Sequence, residues 1–321
     1  MAFSAVHPTH RFQTWQVWPG SYDNPATVDR YQFAGDPAFA INKQTPIASM
    51  GSCFAREIKT VLLRMGFNYI QEEAQHSASV HASAAWERVY STFSMRQIFE
   101  YTFDAWTPEL RWWHCPQSGW TQDPYRRTVV YDSLERAVAD FEHHRACSRR
   151  ALTKADFLIL TLGLTEVWQD RLDGSVISLP SGPYVKEGGD MSRYEFKVSR
   201  YSENLRNLER IHELMATHNP GCKILVTVSP NHLWATFRGD LDVVGASCNS
   251  KSTLRAVADE FCDGHDNVHY FPSYEIATIT QSLRGQAVYA DGPENFHVHP
   301  DTVGFIMEQF FQRYAVRPGE D

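Results

Sequence analysis

Apolar residues in this chain fall into two patterns that alternate along it. Short continuous runs read as strands buried on both faces: Pro46 to Met50, Ala155 to Leu162, Lys223 to Val228 and Val268 to Phe271. Between them, apolar residues recur at helical spacing. Phe54, Ile58, Val61, Leu62 and Met65 form one such stripe, and Gly66 closes it. Leu134 to Leu152 reads as a charged helix. Leu205, Leu208, Ile211 and Met215 make another stripe, with Ser202 as its cap and Asn219-Pro220-Gly221 as its stop. Leu254, Val257 and Phe261 point inward from a helix over Ser250 to Phe261. Val303, Ile306, Met307 and Phe310 follow His299-Pro300. From Ala84 to Phe103 the pattern is a broken helix, and Ser94 followed by Gln97 has the spacing of a capping box, so the spacing predicts a helix start there.

Strands that alternate with helices imply an α/β fold with a parallel sheet and helices on both faces. Residues 1–45 lack a clear period and read as an irregular N-terminal arm. Residues 46–315 form the α/β domain, with an insertion near 170–200 marked by Gly, Pro, Ser and Asp clusters, and 316–321 are a tail. Residues 104–130 are Trp-rich and loop-like. In parallel sheets the site lies at the carboxyl ends of the strands. That rule points at Gly51–Cys53, Gly163–Glu166, Ser229–Pro230 and the loop before His299.

Composition narrows the partners. With 321 residues, 43% of them apolar, the chain can bury a core of ordinary size. The net charge of −8 and the scatter of its basic residues weigh against nucleic acid or an anionic membrane. Met1 to Arg11 contains no apolar h-region, and no run is long enough to span a bilayer. The six cysteines include no CxxC pair, and reduced thiols in a cytoplasmic protein are expected.

Three places carry candidate chemistry. Ser52 and Cys53 sit between a buried strand and a helix, where a nucleophile is held on a rigid turn facing the first-turn amides. Such a position lowers a thiol pKa. The plain alternative is that Ser52 caps the helix and Cys53 fills space. His299 precedes the last helix and is a natural base at neutral pH, although one His among fourteen is more often a surface or core residue. Together with His297 it also forms an H-x-H pair, which a strand would turn into half of a metal site; nothing in the sequence completes that site, so no metal is expected. Gly163 lets backbone approach a ligand closely, and Thr165 and Glu166 could face an oxyanion or a water, or Thr165 could simply cap a turn. Trp112, Trp113 and Trp120 suit stacking on sugar rings and suit core packing equally well.

Gly51-Ser52-Cys53-Phe54-Ala55 reads as the motif that names the GSCFA family. Segments 161–168 (TLGLTEVW), 227–236 (TVSPNHLWAT), 249–261 (NSKSTLRAVADEF), 270–276 (YFPSYEI) and 299–310 (HPDTVGFIMEQF) resemble the same family, in order along most of the chain. That family is similar to the SGNH (GDSL-type) hydrolases. The resemblance implies a flavodoxin-like three-layer α/β/α sandwich with a central parallel sheet. In the SGNH pattern Cys53 takes the place of the nucleophilic serine and Ser52 that of the preceding aspartate. Gly163–Glu166 resembles the third block, with Thr165 in place of its oxyanion-hole asparagine. The last block resembles Phe296 to Pro300 and makes His299 the base.

The resemblance also marks departures. Phe296 stands where the His-orienting aspartate is expected, so Asp291, Glu294 or Glu275 must supply a carboxylate, or Cys53 and His299 work as a dyad, which a thiolate tolerates better than a serine does. The glycine of the second block has no clear counterpart; the backbone around Ser91–Thr92 is its nearest match. The expectation is therefore an acyl-ester hydrolase or O-acyltransferase on a small-molecule or carbohydrate substrate, a polysaccharide included. No cofactor is expected, although acyl-CoA could serve as donor. The rival expectation is a non-catalytic carbohydrate- or CoA-binding module on a degenerate SGNH fold.

Overall fold

The structure, a computed structural model, describes residues 14–21, 33, 37–107, 109, 112–177 and 179–316. Most of the expected N-terminal arm and all but Val316 of the expected tail lie outside the described residues. By internal contacts the chain divides into two compact units, Met1–Ile41 with Glu275–Asp321, and Asn42–Tyr274.

The larger unit opens with β1 (Ile47–Gly51) and α1 (Cys53–Arg64), then α2 (Thr92–Thr102). Three two-residue strands follow, β2 (Trp113–His114), β3 (Thr121–Gln122) and β4 (Val130–Tyr131). After α3 (Leu134–Lys154) come β5 (Phe157–Leu162), β6 (Glu166–Asp170), β7 (Val176–Ile177), the short α4 (Pro183–Lys186) and β8 (Tyr194–Val198). The unit continues with α5 (Tyr201–His218), β9 (Lys223–Val228), α6 (Val243–Asp263) and β10 (Val268–Tyr270).

The central sheet is parallel and four-stranded, in the order β1-β5-β9-β10. Its register pairs Ile47 with Phe157, Phe157 with Lys223 and Val268 with Ile224, so residue parity is the same in every strand. The even-numbered face is wholly apolar: Ala48, Met50, Leu158, Leu160, Leu162, Ile224, Val226 and Val228 form one buried cluster with residues of α2, α3, α5 and α6. Burying each Val, Leu, Ile or Met side chain of this kind is worth roughly 1.5–3 kcal/mol. A slip of one residue would exchange the two faces, so this cluster fixes the register. The odd-numbered face carries Ser49, Thr161 and Thr227, all buried. Helix α1 packs on β1 and β5, with Phe54, Ile58 and Leu62 buried outside the apolar cluster.

Several local expectations are corrected. The helix expected near Ser94 starts at Thr92, because Ser91 Oγ accepts the Ser94 amide at 3.1 Å and acts as the cap, while Gln97 bonds Val176 in β7 instead of the helix start. Helix α5 is capped at Arg200, whose amide donates to Glu203 at 2.8 Å, and Ser202 lies inside the first turn. The insertion near 170–200 holds an antiparallel sheet of order β7-β6-β8, and the Trp-rich segment holds the small sheet β2-β3-β4. Short strands that mix Glu, Gln and Asp with single aromatics give a weak periodic signal, and cross-strand packing such as Trp168 on Phe196 decides them.

In the smaller unit, the C-terminal helix Pro300–Tyr314 is capped by His299. Ile41 donates to the Tyr314 carbonyl at 2.6 Å and accepts from the Val316 amide at 2.9 Å. Among the described residues no helix is long and apolar enough to cross a membrane.

Candidate active site

The site is built on the first strand-to-helix turn. Gly51 has φ near +154°, and a Cβ there would lie within 2.4 Å of the Thr161 carbonyl oxygen, so only glycine lets β1 run this close to β5. Ser52 follows with its amide donated to the Thr161 carbonyl at 3.3 Å. It occupies the N-cap position of α1, yet its side chain makes no capping bond, and its buried Oγ has no hydrogen-bond partner among the described residues. Cys53 is the first residue of α1 and is half-buried. The two candidate nucleophiles are thus separated by one step of backbone: the serine is buried and the cysteine half-buried.

Tyr90 ties the strand ends together. Its phenol oxygen lies 3.4 Å from Cys53 Sγ. Its carbonyl accepts the amides of Gly163 and Leu164 at 3.1 and 3.0 Å, and the neighbouring Val89 amide donates to Gly51 at 2.8 Å. A Cβ on Gly163 would lie 2.8 Å from the Tyr90 carbonyl and 3.1 Å from Ser52 Cβ, which is why glycine stands after β5. Burial first, and then the neighbouring Cys53 sulfur, raise the Tyr90 phenol pKa, so the hydroxyl stays a donor.

Lys251 of α6 is buried, and its Nζ donates to the Gly163 carbonyl at 2.7 Å. Burial pushes its pKa down to about 7, and attraction to Cys53 works in the opposite direction. A lysine in apolar surroundings beside a thiol is a means of holding a thiolate. One residue earlier, Ser250 Oγ meets Thr165 Oγ1 at 2.9 Å and the Thr165 amide at 3.4 Å. Glu166 accepts from Thr236 Oγ1 at 2.5 Å and from the Phe237 amide at 3.1 Å.

The sequence profile of the GSCFA family matches residues 46–310. The chain belongs to the GSCFA family. No curated protein matches it. Among solved structures, the family member is similar to a candidate platelet activating factor from Streptococcus pneumonia, at 14% identity and a TM-score of 0.30, over 50% of this chain and 59% of that one. It is also similar to the salicylyl-acyltransferase SsfX3 from a tetracycline biosynthetic pathway, at 15% identity and a TM-score of 0.30, over 52% of this chain and 40% of that one.

The GSCFA chain brings together some of the residues singled out from sequence and commits others elsewhere. Cys53, Ser52 and Gly163 lie at adjacent strand ends. Thr165 and Glu166 follow in the same segment, with both side chains engaged inside the unit. Thr92 is buried at the start of α2, where its hydroxyl donates to Asn204 at 2.7 Å and accepts from Asn207 at 3.0 Å. In the smaller unit, Glu294 holds His297 Nδ1 at 2.7 Å, which engages one of the three proposed carboxylate partners of His299 with the other histidine of the H-x-H pair. Asp291 caps a 3₁₀ turn by position only, and Glu275 ends the short helix that begins at Ser273. His299 Nδ1 accepts the Asp301 amide at 3.2 Å and lies 3.6 Å from Asp301 Oδ2. Asp301 is a carboxylate that sequence reasoning did not consider for this role.

Of the three tryptophans, Trp113 is buried, stacks on Tyr184 at 5.0 Å and donates to the Tyr194 hydroxyl at 2.9 Å. Trp112 packs edge-on against Tyr131 and Phe141, and only Trp120 of the three is exposed. Tyr90 and Lys251 were also missed. Lys251 had a visible signal: it falls three residues before Leu254, on the inward stripe of α6, where a charge is out of place. Tyr90 had none, because its position depends on the loop between α1 and α2.

Proposed function

We propose that this GSCFA protein is an acyl-ester hydrolase or O-acyltransferase that works through a thioester on Cys53. The single observation that carries the reading is the setting of the thiol. It stands half-exposed at the first residue of α1, at the carboxyl end of the parallel sheet, with the Tyr90 hydroxyl 3.4 Å away and a buried lysine in electrostatic reach, while the Ser52 hydroxyl is enclosed. The Cys53 thiolate attacks the carbonyl carbon of an ester or thioester. The carbonyl π bond opens and the tetrahedral intermediate collapses, breaking the bond to the leaving oxygen or sulfur, which takes up the proton that the thiol lost. Water or a sugar hydroxyl then attacks the new thioester and returns the thiol.

The SGNH resemblance offers His299 as the group that carries this proton. With the Asp301 amide on Nδ1, a neutral His299 holds its proton on Nε2. Action as a base through Nε2 therefore requires Nδ1 to be protonated, and the Asp301 carboxylate is the group that would stabilise that form. Because the Gly163 and Leu164 amides serve Tyr90 and the Thr165 hydroxyl serves Ser250, the oxyanion falls to donors around Cys53 and Tyr90. Incubation with an activated acyl ester, followed by intact-mass and peptide analysis, tests the reading. One acyl group on Cys53 is expected, with slower formation in His299→Ala and none in Cys53→Ala. Acylation that persists unchanged in Cys53→Ala overturns it.

A second reading, a CoA-binding module without chemistry, is favoured by a different place. A cleft of about 720 Å³ is lined by Lys197, Arg200, Arg206 and Arg238 with Phe196 and Phe237, a set that suits phosphates and an aromatic base. Lys197 and Arg238 are paired with Glu203 and Asp240. Titration with free CoA separates the readings: binding that depends on Arg200 and Arg206, with no acylation of any residue, favours the module.

A further inference from the structure

We propose that Glu73, His143 and Cys147 bind a divalent transition-metal ion, with zinc the best match. One ligand atom from each of the three lies within 4.8 Å of the others. His143 and Cys147 are one helical turn apart on α3, and His143 Nε2 lies 3.4 Å from Cys147 Sγ. Two such ligands on one tetrahedral zinc stand about 3.6 Å apart, given Zn–S and Zn–N bonds of roughly 2.3 and 2.1 Å. The pair is therefore already spaced for a shared ion. Glu73 reaches the helix from a segment 70 positions earlier, so an ion would pin that segment to α3.

The surroundings support a ligand role beyond mere proximity. Glu73 is 7% exposed, and its Oε1 is buried without a hydrogen-bond partner among the described residues. An unsatisfied buried carboxylate oxygen is costly unless something cationic meets it. Its Oε2 is held by His144 Nδ1 at 2.7 Å and by the Ala85 amide at 2.8 Å, and His144 Nε2 in turn meets the Tyr101 hydroxyl at 3.2 Å. Outer hydrogen bonds of this kind orient metal-binding carboxylates. Arg150 donates to Cys147 Sγ at 2.9 Å, as N–H groups do toward a metal-bound thiolate, and is also tied to Glu72. Binding exchanges the Cys147 S–H proton for the ion, so one proton is released per ion bound. One thiolate and one carboxylate then balance the two positive charges, and His143 enters neutral. Since His143 is exposed, the ion has a route from solvent, and water completes the coordination.

Cobalt(II) is the probe, because thiolate-to-cobalt charge transfer gives a near-ultraviolet band only when sulfur is a ligand. Chelator-treated full-length protein carrying Cys248→Ser, which removes an exposed thiol, is titrated with cobalt and then with zinc in competition. The expected result is one ion per chain, the charge-transfer band, displacement by zinc and a higher melting temperature with zinc. Cys147→Ser is expected to lose the band. Should that buried substitution disturb folding, His143→Ala serves instead: it alters an exposed side chain, and loss of a ligand is expected to weaken binding by at least about tenfold, the lower end of what losing an outer partner costs. Absence of the band, or a band and affinity unchanged in His143→Ala, overturns the proposal.

Discussion

Cys53 and Cys147 are the same side chain in two different neighbourhoods. Cys53 opens a helix at the end of a parallel sheet, half-exposed, with a tyrosine hydroxyl at its sulfur and a buried lysine nearby. Cys147 lies mid-helix, fully buried, with a histidine, a carboxylate and an arginine around it. Burial, and next the Glu73 charge, push its thiol pKa up, and Arg150 works against them. The first arrangement presents a sulfur to an incoming electrophile; the second encloses a sulfur within a set of metal ligands. Neighbours, more than the thiol itself, decide between nucleophile and ligand.

That contrast is most directly broken by exchanging the two losses. Cys53→Ala is expected to lower turnover of an activated ester by at least on the order of 10³-fold, whereas Cys147→Ala leaves the acylation rate of the folded protein within a few-fold of the parent. Equal losses in both variants, measured as initial rates, would erase the distinction between the two thiols. Next in size is Tyr90→Phe. Removing a hydrogen bond to a charged sulfur is worth roughly 1.5–3 kcal/mol, so the acylation rate is expected to fall about 10- to 100-fold with little change in melting temperature. An unchanged rate would mean that the tyrosine positions backbone and nothing more.

Lys251→Met sharpens the comparison through pH. Lys251 is held at about pKa 7 by burial, against 10.5 for an unburied lysine. Between these values the unfolded chain binds more protons than the folded one, so parent stability rises with pH across that window. The cost of the buried charge is complete below about pH 7 and is relieved toward about pH 10. Relative to the parent, Lys251→Met is therefore expected to gain most in melting temperature near pH 6 and to lose that advantage as pH rises. A difference that is flat with pH would show that the lysine keeps its unfolded-chain pKa and stays charged in the fold. The smallest effect is expected from Ser52→Ala. It removes an enclosed hydroxyl that has no hydrogen-bond partner among the described residues, so acylation stays unchanged and stability is level or slightly higher. Loss of acylation in Ser52→Ala would instead assign the chemistry to the serine.

Much of the central sheet was legible in the chain. Ala155–Leu162 and Lys223–Val228 are continuous apolar runs, and both became strands within two residues of their expected bounds. The turn at Gly51–Cys53 was legible because strand, glycine and helix follow one another without a gap. The antiparallel sheet of β6, β7 and β8 was not, since its strands alternate and owe their pairing to partners up to 32 residues away. The start of α6 at Val243 was likewise missed: its cap, Asp242, accepts the Val244 and Gly245 amides well before the apolar stripe begins.

What the sequence by itself determined is the alternation of strand and helix and the place of a thiol on the first turn of the sheet. These follow from local periodicity and from which side chains avoid water. Only the tertiary structure decided what stands beside that thiol. Tyr90 and Lys251 come to it, and Glu73 comes to Cys147, across 37, 198 and 74 positions respectively. Contacts of that span depend on how loops close and elements pack, and no local pattern records them.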